Sequence, residues 1–497
     1  MSRHLAARRL RAWALTALAG ICAAGGVLST QELDRRVQPA PGKAPPLRVP
    51  AWSRDTLANG ADLIVSEKRD LPLVSFSLTF LGGSNQFEPA GREGLASLAA
   101  SLLSEGTTTR SGDELSDALQ LLGTSVSVSV GGESGSIAFL STAANFAATL
   151  DLVADMLVNS TFPDPALTRL RAQRLVALRQ ARAQPRAVAD RVFPRLLYGA
   201  AHPYGRIVTE ASLDSITRAD VLRFHDTYFR PGRALVTVVG DVAAADVKPL
   251  VEKRLAAWRR GGERPAFRYP AVPERPKTTI FLVDKPDAAQ STVALGHPGP
   301  PRDTPDFFAL QVMNTILGGM FQSRLNANIR EEKGYSYGVG SSFSFGRGPG
   351  AFRTGGDVVT EKTDAALVEF MKELRGILGE RPVSDEELAV AKEALVQRLP
   401  AMFASVASIN SALTTLWVQG LPDDYYERYA KSVGAVTKED VLRVARQHVH
   451  PDRLAIVIVG DRARVEGPLQ ATGLAPIRLY DSEGEPVTGG DTPSPPR

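Results

Sequence analysis

Two side chains seven residues apart carry the clearest chemical potential in this chain: Arg330 and Tyr337, within I-R-E-E-K-G-Y-S-Y-G-V-G-S-S-F-S-F, which runs from Ile329 to Phe345. A guanidinium and a phenol that point into one space form a pair of strong hydrogen-bond donors. The plainer reading is a cation in the last turn of a helix, next to a packed tyrosine. His448 and His450, spaced i, i+2 before Pro451, are the other candidates, but neither an acid nor a third histidine accompanies them as a ligand set.

The elements that position Arg330 and Tyr337 are legible locally. Arg330–Lys333 are good helix formers, and Gly334 follows where a helix ends in a left-handed residue. From Tyr335 the period becomes two. A strand here puts Tyr335, Tyr337, Val339, Ser341, Phe343 and Phe345 on one face, and Ser336, Gly338, Gly340, Ser342, Ser344 and Gly346 on the other. One face is largely aromatic and the other almost bare backbone, which predicts that something else lies against it, with Gly338 and Gly340 foremost.

A chain of 497 residues exceeds one ordinary core, and 43% hydrophobic with 23% charged residues is a globular composition. The formal charge of +4 is carried by Arg3, Arg8, Arg9 and Arg11 in an acid-free first thirty residues. Without them no net charge remains, and no basic nucleic-acid face is indicated. Residues 1–30 pair that basic start with an apolar, Ala-rich run and predict a cleaved signal peptide. Cys22 is the only cysteine, and Ile21 before it is not the small residue a lipoprotein anchor requires. The mature chain is then free of disulfides and of a second membrane-length apolar run, which predicts a periplasmic or secreted protein without a stable membrane span.

An internal repeat sets the organisation. Thr217–Asp241 and Thr437–Asp461 align without gaps, and Thr217, Asp220, Val221, Leu222, Arg223, Pro231, Arg233, Val239, Gly240 and Asp241 recur identically. Each copy reads as a Thr-capped helix, a Pro break and a buried strand ending in Gly-Asp. The expected organisation is therefore a tandem duplication, with halves at 48–260 and 278–470, a Pro-rich linker at 261–277 and a disordered tail at 489–497. Each half mixes strands and helices, an α+β class. Strands are expected at Asp62–Glu67 and Leu73–Phe80, and a helix at Gly94–Glu105. A second ungapped match sets Gly123-Thr124-Ser125-Val126 against Gly334-Tyr335-Ser336-Tyr337. It places Leu119 opposite Arg330 and Val126 opposite Tyr337, so the shared fold does not demand the Arg and Tyr.

Gly94–Thr107, together with Leu57–Gly60, Leu71–Ser84, His202–Arg206 and Arg330–Tyr337, resembles the pitrilysin (insulinase, mitochondrial-processing-peptidase) family over nearly the whole mature chain. That family's zinc helix carries H-x-x-E-H, two ligands on one face and a general base. Here the matching positions are Ser97, Ala100 and Ser101, and no acid lies between Asp164 and Asp190, where the third ligand falls. Serine and alanine replace neither imidazole nor carboxylate, so this chain is expected to bind no catalytic zinc. The resemblance implies two homologous halves forming a clamshell around a peptide chamber, with the peptide added as a strand to a sheet edge. It also implies that Arg330 and Tyr337 hold the scissile carbonyl and stabilise the oxyanion, and that Gly338 and Gly340 contact substrate. Two readings follow: a non-zinc subunit completing a partner subunit's zinc site in a hetero-oligomer, or a catalytically inactive peptide-binding scaffold.

Overall fold

The computed structural model describes residues 47–487; the leader with Cys22 and the tail from Gly489 lie outside the described residues. Two six-stranded sheets dominate. The first contains β1 (Ser53–Thr56), β2 (Asp62–Glu67), β3 (Leu73–Leu81), β4 (Val126–Val130), β5 (Ser134–Thr142) and β6 (Ala234–Gly240), in the order β1-β2-β6-β3-β5-β4. The second contains β7 (Thr279–Asp284), β8 (Gln290–Gly299), β9 (Ser336–Ser344), β10 (Gly350–Val359), β11 (Ala455–Gly460) and β12 (Ile477–Tyr480), in the order β12-β7-β11-β8-β10-β9. From the second to the sixth position the two orders correspond strand for strand, as expected of homologous halves. The repeated segment supplies β6 and β11, each parallel to one neighbour and antiparallel to the other. The preceding helices open identically, with Thr217 and Thr437 capped reciprocally by Asp220 and Asp440.

Every residue of β6 and β11 is buried. Such uniformly buried, largely apolar strands require cover on both faces of the sheet. One face of each sheet packs on helices of its own half. The other face is covered by a helix from the opposite half. The Pro185–Tyr198 helix places Val188, Val192, Phe193 and Leu197 on Phe281, Ala294, Val457 and Val459 of the second sheet. In return, the Val406–Gln419 helix lays Ile409, Leu413, Leu416 and Trp417 on Ile64, Leu81, Leu235 and Val239 of the first. The exchange is pinned by polar groups as well. Asn410 Nδ2 donates to the carbonyls of Ser75 and Thr237, both at 3.1 Å, and its Oδ1 accepts from Ser77 Oγ at 2.7 Å.

Glu133, in the β4–β5 turn, ties that hairpin to the other half. It accepts from Tyr204 Oη, from Tyr269 Oη at 3.0 Å, and from the N–H groups of Arg347 and Gly348 in the β9–β10 turn at 2.8 and 3.2 Å. Among the described residues no single helix is long and apolar enough to cross a membrane.

Candidate functional site

The helix matched to the zinc motif is Leu95–Leu102, packed against β4. It starts at Gly94, whose φ of +103° suits glycine. Glu88 Oε1 accepts from the Gly94 and Ala96 N–H groups at 2.9 and 2.8 Å, capping the helix from a preceding turn. Burial raises this carboxyl to about 7, against the lowering pull of those two donors. Ser97 Oγ donates to the Gly94 carbonyl and Ser101 Oγ to the Ser97 carbonyl, each at 3.0 Å, and Ala100 is buried. On the facing Asp164–Arg182 helix the residue that reaches Ser101 is Arg174, its Nη2 donating to Ser101 Oγ at 3.2 Å. A guanidinium thus stands beside the position of a metal ligand, and the donor set does not fit zinc. Among the described residues no group of three or more His, Cys, Asp or Glu is placed to hold a metal ion. The structure does bring an acid and a third histidine to the His448 and His450 pair, but to different members of it: His448 Nε2 bonds Asp306 at 2.8 Å, whereas the His450 ring packs 4.9 Å from that of His297.

Arg330 lies near the end of the Asn326–Glu332 helix, whose last turns widen so that Lys333 N–H bonds the Asn328 carbonyl. Gly334 has φ +64°, and the Tyr335 N–H reaches back to the Ile329 carbonyl at 2.9 Å. The left-handed glycine ends the helix, its N–H bonding the Arg330 carbonyl at 3.2 Å. The return bond from Tyr335 reaches one residue further back than in a Schellman ending, as the widened last turn requires, and Tyr335 packs in the core that holds Ile329. The Arg330 guanidinium carbon lies 4.1 Å from the Phe321 ring centroid, and its nearest carboxylate, Glu331, is 3.6 Å away. Phe321 is 61% exposed.

Tyr337 departs from the expected strand face. β9 pairs with β10 at Gly356–Val339 and then at Val358–Ser336, so Tyr337 and Gly338 lie opposite the single Asp357. This bulge switches the alternation. Ser336 turns inward, donating to the Asp357 and Gly338 carbonyls at 2.6 and 3.0 Å, and Tyr337 turns out to 90% exposure. The aromatic face is therefore interrupted at Tyr337, while Val339 and Ser341 remain buried.

The sheet register also corrects the expected match of Tyr337 with Val126. Straight across the first sheet run Leu235, Thr79, Ser136 and Ser129; across the second run Ala455, Gly296, Arg353 and Ser342. In this frame Val126 is level with Val339. Val339 comes five residues after its left-handed glycine, Gly334, whereas Val126 comes three after Gly123 (φ +66°), so the second half is two residues longer here. Tyr337 falls in that longer stretch and shares with Gly338 the single level that Ser125 occupies in the first half.

The two outer strands differ at their edges. On β9, Asn326 Oδ1 accepts from the Val339 N–H at 3.0 Å and Asn314 Nδ2 donates to the Ser341 carbonyl at 3.0 Å, which seals the edge. Gly338 is exposed, and Gly340 opens into a cleft of about 420 Å³ with Arg186, Asp190, Ser342 and Arg353. On β4, no group among the described residues other than β5 bonds the backbone of Val126–Val130, so its edge is open beside the Ser97–Ser101 helix. Beneath it lies a cleft of about 730 Å³ whose lining has no charged side chain; Ser77, Ser127, Ser129, Ser136 and Asn410 are among its walls. Sequence reasoning missed Arg174, Glu88 and Phe321, since none stands in a motif. The run free of acids from Asp164 to Asp190 was the available signal for Arg174.

Comparison with known proteins gives two family models in tandem: "Insulinase (Peptidase family M16)" over residues 63–203 and "Peptidase M16 inactive domain" over residues 215–395. A Bacillus subtilis protein named uncharacterized zinc protease YmxG is 24% identical over 73% of this chain and 86% of its own length. A Helicobacter pylori protein named non-peptidase homolog YmxG is 23% identical over 81% of this chain and 92% of its own. The crystal structure of a peptidase M16 inactive domain from Pseudomonas fluorescens superposes with a TM-score of 0.76 at 26% identity, over 82% of this chain and 98% of that one.

Proposed function

The chain belongs to the insulinase family of peptidases, family M16, as a member without the family's zinc motif, and on that premise we propose that it is the non-zinc subunit of a heteromeric metallopeptidase. In this reading a companion subunit with an intact H-x-x-E-H supplies the zinc and the general base, and the two chains enclose the peptide. Arg330 and Tyr337 then orient the scissile carbonyl and stabilise the oxyanion, and Gly338 and Gly340 offer bare backbone to the substrate. The leader supports export to the periplasm or beyond.

The observation that carries the proposal is the placement of Tyr337. A bulge, in a stretch two residues longer than its match in the first half, turns a tyrosine out to 90% exposure on the strand that follows Arg330. Packing does not require a phenol there, because the first half builds the same sheet without it. The test is reconstitution with the zinc-bearing companion. Activity absent from either chain is expected on mixing, and Tyr337→Phe is expected to lower kcat on the order of 10²–10³, roughly 3–4 kcal/mol, without loss of assembly. Arg330→Ala acts likewise. Full cleavage by an assembled complex carrying both substitutions would reject the proposal.

A second reading, an inactive peptide-binding scaffold, is favoured by the open edge of β4 beside the degenerate helix. An extended peptide adds to such an edge through main-chain bonds and needs no zinc. Peptide binding by the isolated chain, combined with indifference of the complex to both substitutions, would select it.

A further inference from the structure

We infer that the pocket between the Arg302–Phe308 turn and the end of the Val406–Gln419 helix binds an α-carboxylate adjoining an apolar side chain, the chemistry shared by a free hydrophobic amino acid and a peptide C-terminus. The pocket has a volume of about 360 Å³, within the range of small-ligand sites. Phe307, Phe308, Leu421, Pro422 and Tyr425 form its apolar wall.

Arg302 stands on that wall. Its guanidinium carbon is 3.4 Å from the Phe307 ring centroid and 5.3 Å from that of Tyr425. Among the described residues this guanidinium makes no ion pair, and its Nη2 is sealed from solvent without a hydrogen-bond partner. Gln419 Oε1, on the same pocket lining, is likewise sealed and unpartnered. The neighbouring cation, Arg428, is already matched with Asp424. A guanidinium stacked on rings keeps unpartnered N–H groups at its edge, and a carboxylate is the acceptor that matches them in charge and geometry.

Charge narrows the ligand further. Asp303 also lines the pocket and is exposed, so one free cation faces one anion. A doubly charged phosphate is poorly matched there, whereas a single carboxylate with an N–H close to it suits Arg302 on one side and Asp303 or Gln419 Oε1 on the other. Burial raises the Tyr425 hydroxyl above its ordinary value against the pull of the adjacent Arg302, so it adds no charge to the pocket. The apolar wall accepts the side chain. The site does not depend on the zinc-subunit reading.

The experiment is calorimetric titration of the full mature chain with N-acetyl-L-phenylalanine, N-acetyl-L-phenylalaninamide and L-phenylalanine. Saturable binding of the acid is expected, with the amide weaker by about tenfold or more, and with Arg302→Gln weakening the acid by a similar factor. L-Phenylalanine bound as tightly as the acetylated acid assigns the site to free amino acids; weaker binding assigns it to chain ends. No saturable binding of the acid up to about 10 mM, or equal binding of acid and amide by the unaltered protein, overturns the inference.

Discussion

Glu88 sits where burial and backbone donors compete for one proton, at the mouth of the helix that carries Ser97 and Ser101. Its carboxyl is raised from 4.5 to about 7, chiefly by burial. Between those values the folded chain holds a proton that the unfolded chain has released, so stability falls as pH rises through this window. The shift corresponds to about 3 kcal/mol. Glu88→Gln keeps an acceptor for the Gly94 and Ala96 N–H groups and removes the titration. Urea denaturation at about pH 5 and about pH 8 is expected to show a smaller stability difference for the variant than for the parent. Equal differences would mean that Glu88 does not titrate there. Nearby, Arg174 has the opposite sign to a metal ligand, which adds electrostatic repulsion to the loss of donors at Ser97, Ala100 and Ser101.

At the scale of elements, the exchanged helices and the two outer strands decide what the molecule presents. Phe193 of the Pro185–Tyr198 helix shows how tightly the exchange is fitted. A Cβ on Gly296 would come within 2.7 Å of its ring, so the β8 glycine is required by close approach. Phe193 is 3% exposed, and Phe193→Ala is expected to destabilise by roughly 3–5 kcal/mol in thermal or urea unfolding. A cost below about 1 kcal/mol would show that the helix is not anchored there. The outer strands lead in opposite directions. β9 has its edge taken by Asn314 and Asn326 and exposes a side chain, Tyr337; β4 leaves its backbone edge open. This asymmetry between homologous strands leaves an open main-chain edge in one half and an exposed phenol in the other.

Across the whole molecule the halves are duplicated in topology yet incomplete alone. Residues 48–260 expressed without the rest would lack the Val406–Gln419 helix, leaving Ile64, Leu81, Leu235 and Val239 facing water. The reverse fragment would lack the Pro185–Tyr198 helix. Each fragment alone is expected to aggregate or bind a hydrophobic dye, and co-expression is expected to recover a soluble complex, read by size-exclusion chromatography and circular dichroism. A monomeric, cooperatively melting 48–260 fragment would refute this. Glu133 adds a polar clasp, because one carboxylate accepts donors from Tyr204 and Tyr269 and from the β9–β10 turn.

The sequence alone determined the features that depend on near neighbours. The Thr-capped helices, the strands at Asp62–Glu67 and from Leu73, the left-handed Gly334 and the duplication are written in periodicity, capping and identity over short spans. The loss of the zinc donors is likewise a matter of residue type at Ser97, Ala100 and Ser101. Tertiary structure decided what depends on partners distant in the chain. An ungapped match set Tyr337 against Val126, because a bulge and an insertion leave no local mark when glycine and serine fill both alternating positions. The covering of each sheet by the other half's helix was hidden as well, since an apolar helix face states that it will be buried but not against which sheet. Side-chain hydrogen bonds from Asn314 and Asn326 closed one edge and left its homologue open, a difference fixed only when separate segments meet in space.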